Sequence, residues 1–223
     1  YDRPLQLQIA VDPFAAAFRD ERDGNKWRAL AAKFVIPRAG CIMARAERFA
    51  ASLVKHYPEV KDRISVLPPF HNLAIFKNAT PSFDLHKRYP RFKFIVLAIL
   101  RLDAEHRPDL VIDVCAPVLR RYPTIGLVMV GEGPLRTQLE RKIRAANLQD
   151  KIVFESETDD LVSHMKTANL FINTNSDEEH DALLAAAAAA GLPVLTVAST
   201  MADLLFKDNV NAFVCPENDA VCF

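Results

Sequence analysis

The 223 residues are half hydrophobic, enough to bury a core in one or two domains. No apolar run is long enough to cross a membrane, and the polar opening Tyr1-Asp2-Arg3 is not a signal peptide, which points to a cytoplasmic chain. Its 28 Lys and Arg balance 28 Asp and Glu, and no nucleic-acid partner is expected.

That balance is uneven along the chain. Residues 1–93 hold 17 basic and 9 acidic groups, and residues 94–223 hold 11 and 19. Either the two halves complement each other across a domain contact, or the basic half faces anionic lipid or a phosphorylated acceptor. Cys41, Cys115, Cys215 and Cys222 lie far apart with no CxxC pair; reduced core thiols are the simplest reading, with zinc or disulfides as the alternatives. Glycine is scarce: the chain has six, where average usage of roughly 7% would give about fifteen. Loops that bind phosphate use glycine to bring backbone N–H groups close to the anion, so the shortage bears on function. Tyr1 in place of an initiator Met predicts a fragment of a longer protein.

In chain order, apolar runs alternate with amphipathic stretches, the pattern of βα units around a parallel sheet. The pattern predicts a strand over Leu5–Val11, a helix over Lys26–Phe34, a strand over Cys41–Ala46, a helix over Glu47–His56 and a strand over Ile64–Leu67. The segment from Pro68 to Pro90 lacks periodicity and carries several prolines, which reads as a linker. Beyond it come strands over Phe92–Leu100, Ile125–Val130, Lys151–Glu155, Leu170–Thr174, Pro193–Val197 and Ala212–Cys215. Helices over Pro108–Arg121, Leu135–Ala146, Asp159–Thr167 and Glu179–Ala190 separate them. Thr158 is a candidate N-cap, and Ser176 with Glu179 a capping box. The run Ala185–Ala190 reads as a helix packed closely on the sheet. The domain division that follows is 1–75, 76–90 as linker, and 91–223.

Three motifs carry chemistry. Leu127-Val128-Met129-Val130-Gly131-Glu132-Gly133-Pro134 is a strand ending in a glycine turn before a helix, a place that favours an anion. Phe171-Ile172-Asn173-Thr174 leads into the loop Asn175-Ser176-Asp177-Glu178, and an alanine-rich helix follows, ending at Gly191-Leu192-Pro193. Arg101 stands at the carboxyl end of a strand, where open α/β sheets bind ligands, although the strand end alone makes it only an ordinary charge.

The order and spacing of these motifs resemble the donor domain of GT-B-fold, retaining glycosyltransferases of family 4 (glycosyltransferase group 1), whose last loop and helix read roughly E-G-[FY]-G-x-x-x-x-E-A-x-x-x-G-x-P. The resemblance implies an α/β fold: a Rossmann-like donor-binding sheet plus the second half of an acceptor-type Rossmann domain. The rest of that acceptor domain is expected before residue 1, and a closing helix after Phe223. It implies transfer of a hexose, with retention, from a nucleotide diphosphate-sugar to a glycan or lipid-linked acceptor, with no cofactor and usually no metal. Peripheral membrane contact would suit such an acceptor.

Carried onto this sequence, the resemblance makes Arg101 and His106 the clamp on the diphosphate, with His106 in place of the family lysine and Arg107 as its substitute. Gly131 and Gly133 would approach the donor, and Glu178 would hold the donor sugar and act in catalysis. Several positions depart from the pattern. Ala186 stands for the ribose-binding glutamate, Glu179 and Asp181 for two glycines, and Ala10 for a histidine. Pro68-Pro69-Phe70 is followed by His71-Asn72 where the family has a short apolar residue and Asp. With Glu155, Glu157, Asp159 and Asp160 nearby, the site is expected to repel its donor, so that binding and activity are impaired. Two other readings remain: a non-catalytic or engineered α/β scaffold derived from a glycosyltransferase, and a small-ligand or metal-binding α/β domain using Asp177, Glu178, His180 and Asp181.

Overall fold

The computed structural model describes residues 6–9, 32–44, 47–66, 73–175 and 178–216. The chain divides into two compact units, Tyr1–Phe70 and His71–Phe223. In the first, β1 (Gln6–Ile9), β2 (Cys41–Ala44) and β3 (Ile64–Val66) form a parallel sheet in that order. Helix α1 (Glu47–His56) and a 3-10 turn over Pro58–Arg63 connect β2 to β3. Ile36, Ile42, Leu53 and Val60 close this small core. The Arg63 guanidinium ties this turn to a second 3-10 turn, Ile36–Arg38, by donating to the carbonyls of Pro37, Ala39 and Glu59. Of the helix expected over Lys26–Phe34, residues 32–35 are helical and the remainder lies outside the described residues, as do Ala10 and the segment Pro68–Asn72.

The second unit is a six-stranded, wholly parallel sheet in the order β6-β5-β4-β7-β8-β9. Its strands are β4 (Phe94–Ile99), β5 (Ile125–Val130), β6 (Ile152–Glu155), β7 (Leu170–Asn173), β8 (Val194–Val197) and β9 (Phe213–Cys215). Crossovers need helices, and the longer ones are α4 (Pro108–Arg121), α5 (Arg136–Ala145), α6 (Leu161–Thr167) and α7 (Glu178–Ala190). Because helices cover both faces, β4 is apolar at nearly every position rather than alternating. Val96 and Ala98 pack with Val111, Ile112, Leu139 and Ile143 of α4 and α5. Ile95 and Leu97 pack on the other face with Met165, Leu184 and Ala187 of α6 and α7. The chain runs outward from β4 to β5 and β6, then crosses back to β7, β8 and β9. The carboxyl ends of β4 and β7 therefore flank the point where winding reverses, the crevice in which such sheets bind ligands.

The stretch read as a linker is structured. Helices α2 (Ala74–Asn78) and α3 (Leu85–Arg88) occupy it, Leu85 is fully buried, and Phe76, Phe83 and Tyr89 pack on the core of the second unit. Its periodicity was absent because single aromatic anchors, not an apolar stripe, hold it down. A third unpredicted helix, α8 (Thr200–Leu205), is capped by Ser199. The N-cap of α6 is Asp160, whose side chain accepts from Ser163 N–H; Thr158 sits two residues earlier and accepts from Asp160 N–H. The capping box at Ser176 lies outside the described residues. In the alanine run, Ala185, Ala186 and Ala187 are buried and Ala188 is exposed, so only one side of that helix meets the sheet. Cys41 and Cys115 are free thiols, whereas Cys215 is disulfide-bonded, a departure from the reduced thiols expected. Sequence spacing does not reveal which side chains meet in space.

Candidate functional site

A cavity of about 230 Å³ opens at the carboxyl ends of β4, β5 and β6 beside the first turns of α7. Its walls are mostly apolar, from Ile99, Leu100, Val130, Leu161, Ala182 and Leu183, with Arg101, Glu132, Glu157 and Thr158 as the polar contributors. An apolar cleft with a few polar groups at a sheet's carboxyl edge is the usual form of a small-ligand site. The volume is below the 300–1,000 Å³ or so of a full ligand pocket, and so suits one flat portion of a larger ligand.

The turn after β5 builds one wall. The sheet pairing continues past the strands, with Leu100 N–H donating to Val130 O, Leu102 N–H to Glu132 O, and Gly131 N–H to Glu155 O. This brings two backbones so close that a Cβ on Gly131 would overlap the carbonyl oxygen of Leu100, and one on Gly133 the carbonyl of Leu102. Gly131 also has φ of +145°, which L side chains rarely adopt. Close backbone approach by itself accounts for glycine at these two positions. Gly131 lines the cavity; Gly133 lies behind the wall, against Leu102.

The loop after β4 is organised by Asp103. Its Oδ1 accepts from the backbone N–H of Glu105 and of His106, and from Nδ1 of the His106 ring at 2.6 Å. The His106 hydrogen bond is the main cause holding the Asp103 carboxyl below its ordinary pKa. Arg101 Nε lies 3.5 Å from Asp103 Oδ2, and its side chain is 69% exposed on the cavity rim. His106 is mostly buried, and its carbonyl accepts from Asn175 Nδ2 at 3.0 Å. Arg107 is exposed in the left-handed region (φ +46°) at the start of α4. Arg101 therefore borders the cavity, while His106 and Arg107 share its loop without lining it.

Past β7, buried Asn173 donates to Asn175 O and to Thr196 Oγ1, binding the ends of β7 and β8. Thr174, between the two asparagines, buries its hydroxyl without a hydrogen-bond partner among the described residues. Glu178 opens α7, and its side chain lies outside the described residues, as do those of Glu179 and His180.

Three of the acidic residues expected to repel the donor are engaged within the protein. Asp181 is buried, and its Oδ1 accepts from Ser199 Oγ at 2.7 Å, joining α7 to the cap of α8. Its carboxylate is a structural link rather than an exposed charge, and the metal-binding reading of Asp181 finds no support in that placement. Asp160 is occupied by Ser163 and Ser82. Glu155 accepts from Arg88 Nη1 at 2.8 Å, Tyr89 OH at 2.6 Å and His164 Nε2 at 2.8 Å. Glu132 and Glu157 remain as acidic groups of the cavity lining. Among the described residues no three His, Cys, Asp or Glu are grouped to hold a metal ion, and no helix is long and apolar enough to cross a membrane.

Burial alone would raise the Glu155 pKa, but hydrogen bonds from His164, Tyr89 and Arg88 outweigh it and bring the group down to about 2. A folded-state pKa below the unfolded value of 4.5 contributes stability that is present above pH 4.5 and lost as pH falls toward 2. The difference in unfolding temperature between wild type and Glu155→Gln should therefore be constant near neutrality and shrink across that acid window. A difference that holds down to pH 2 would contradict the paired carboxylate.

The cavity's apolar wall was not legible beforehand: Leu161, Ala182 and Leu183 carry no motif. Their one signal is position, in the first two turns of helices that follow strand ends.

Comparison with known proteins places the chain. Residues 85–221 match the family described as Glycosyl transferases group 1. A Vi polysaccharide biosynthesis protein (VipC/TviE) of Salmonella typhi is 23% identical over 175 residues, covering 75% of this chain and 28% of the relative. A D-inositol 3-phosphate glycosyltransferase of Pseudarthrobacter chlorophenolicus is 26% identical over 177 residues, covering 72% of this chain and 40% of that protein. The chain thus spans well under half the length of these relatives. Among solved structures, Anabaena HepE in complex with UDP-glucose superposes with a TM-score of 0.77 at 18% identity, over 98% of this chain and 60% of that one. At that identity the likeness speaks for a GT-B-type, Rossmann-like fold. The family match covers most of the second unit and more than half of the whole sequence, and the chain belongs to the group 1 glycosyl transferases.

Proposed function

We propose that the His71–Phe223 unit is the donor-binding part of a retaining, family 4 glycosyltransferase that takes a hexose from a nucleotide diphosphate-sugar. The observation that carries this is the apolar cavity at the carboxyl ends of β4, β5 and β6 with Arg101 exposed on its rim. A flat heterocycle suits the apolar pit, and a guanidinium at its edge stabilises the charge that develops on a departing diphosphate. The complex of Anabaena HepE with UDP-glucose supports a ligand of this class. In this reading His106 and Arg107 are secondary cations, Gly131 and Gly133 shape the wall, and Glu178 engages the donor sugar. The first unit belongs to an acceptor-type domain serving a glycan or lipid-linked acceptor, its basic character suiting an anionic membrane surface.

Donor affinity is proposed to be weak. Ala186 offers no carboxylate for the ribose hydroxyls, and an imidazole replaces the family's lysine at position 106. Repulsion contributes less than the sequence alone implies, because the Glu155 carboxylate is already paired with the Arg88 guanidinium and bonded to His164. Ligand-observed NMR with UDP-, GDP- and ADP-sugars tests the reading. Arg101→Ala is expected to lower affinity roughly tenfold to a hundredfold, the loss of one or two charge-assisted hydrogen bonds. Unchanged affinity would remove Arg101 from the site.

A further inference from the structure

The loop between β6 and α6 supplies Glu157 and Thr158 to the cavity, and it is held at both ends. At its start, Glu155 takes hydrogen bonds from Arg88, Tyr89 and His164. At its end, the Asp160 carbonyl faces His164 Nδ1 at 2.8 Å. The Asp160 carboxylate meanwhile accepts from the N–H and Oγ of Ser163 and from Ser82 Oγ. His164 is 1% exposed, with the Phe83 ring edge-on at 4.9 Å. One ring thus spans the base of the loop, with a carboxylate on one nitrogen and a carbonyl on the other. The partners outside the loop come largely from Ser82–Tyr89, a segment far away in sequence.

We propose that His164, Arg88 and Tyr89 are positioning residues of the nucleotide cavity: they close the Glu155–Asp160 loop into the one shape that presents Glu157 and Thr158 to the ligand. None of the three lines the cavity; they act through the loop. A loop of this length without such a closure samples many conformers, and ordering it on binding would subtract from affinity. The closing hydrogen bonds, most of them to a charged group and most of them part-buried, supply that order in advance. The proposal rests on the donor reading above for the identity of the ligand, but not for the ordering of the loop.

The test compares Arg88→Gln with Tyr89→Phe, alone and combined, in the full 223-residue chain. Arg88 is 42% exposed and Tyr89→Phe removes only a hydroxyl, so the fold should survive, whereas His164→Gln alters a side chain buried in the core. Amide hydrogen exchange at Ser156–Asp160, affinity for UDP and GDP by ligand-observed NMR, and unfolding temperature are measured together. Lys166→Ala is the control: its Nζ bonds the carbonyl of Lys77 from the same helix without touching the loop. The combined variant should exchange faster at Ser156–Asp160 and bind the nucleotides about tenfold more weakly, the equivalent of one charge-assisted hydrogen bond. Arg88→Lys should recover most of both, and Lys166→Ala should change the unfolding temperature alone. Exchange and affinity that stay at wild-type values while the unfolding temperature falls would overturn the proposal. If the wild type binds neither nucleotide, the donor reading falls, and exchange at Ser156–Asp160 alone decides whether the clasp exists.

Discussion

Gly131→Ala is expected to cost the second unit about 3 kcal/mol or more, because an added Cβ overlaps a backbone carbonyl that has no rotamer to yield with. Leu100 O is pinned between the continued pairing of β4 and β5, so relief requires prising the two chains apart just where Arg101 begins. Urea unfolding of the variant should show a lower midpoint, and nucleotide affinity should fall with it. Gly191→Ala supplies the contrast. It also has positive φ (+74°), but open space surrounds it, and the expected cost is only about 1 kcal/mol, the ordinary strain of a left-handed residue. Equal losses at the two positions would mean that backbone conformation, not close approach, dictates glycine after β5.

The largest gain is expected at Ala186. It follows Ala182 and Leu183, two cavity residues, by one helical turn, so a side chain there extends along the same face. Ala186→Glu should raise nucleotide affinity on the order of a hundredfold by offering a charge-assisted pair to the ribose hydroxyls. The same carboxylate enters a position now 4% exposed in the apolar core, so the free protein should lose stability and regain it when nucleotide is added. Glu179→Gly and His106→Lys are natural additions to this variant. Asp181→Gly is not, since it would strand the Ser199 hydroxyl in a buried place. Calorimetry and thermal unfolding with and without nucleotide decide the matter. A destabilised variant with no gain in affinity would leave the scaffold reading as the better account.

The fold was legible wherever one element could declare itself. β5 has its predicted bounds because an unbroken apolar run lies between Pro123-Thr124 and Gly131. Helix α4 has its predicted bounds because Pro108 opens it and its apolar face repeats over fourteen residues. The short helices α2, α3 and α8 escaped because one turn or so carries no period to read. At the site, Gly131 could be placed from turn chemistry, and Arg101 through the family resemblance. The charge state of the surroundings could not: Arg88 and Glu155 are 67 residues apart in sequence, and Asp181 and Ser199 are 18 apart. An acidic residue looks the same in a sequence whether it faces a ligand or a guanidinium.

The packing of Ser82–Tyr89 onto the second unit also bears on how such proteins recombine. A gene break placed at Arg91, where the apolar pattern of β4 begins, would carry off Leu85, Arg88 and Tyr89, leave the second unit with a hole in its core, and reduce the partners of Glu155 named above to His164. A break ahead of Ala74 keeps α2 and α3 with the sheet they pack on. Exchange of this unit between related proteins is therefore expected to favour crossover points ahead of α2, with α2 and α3 inherited as part of the second unit.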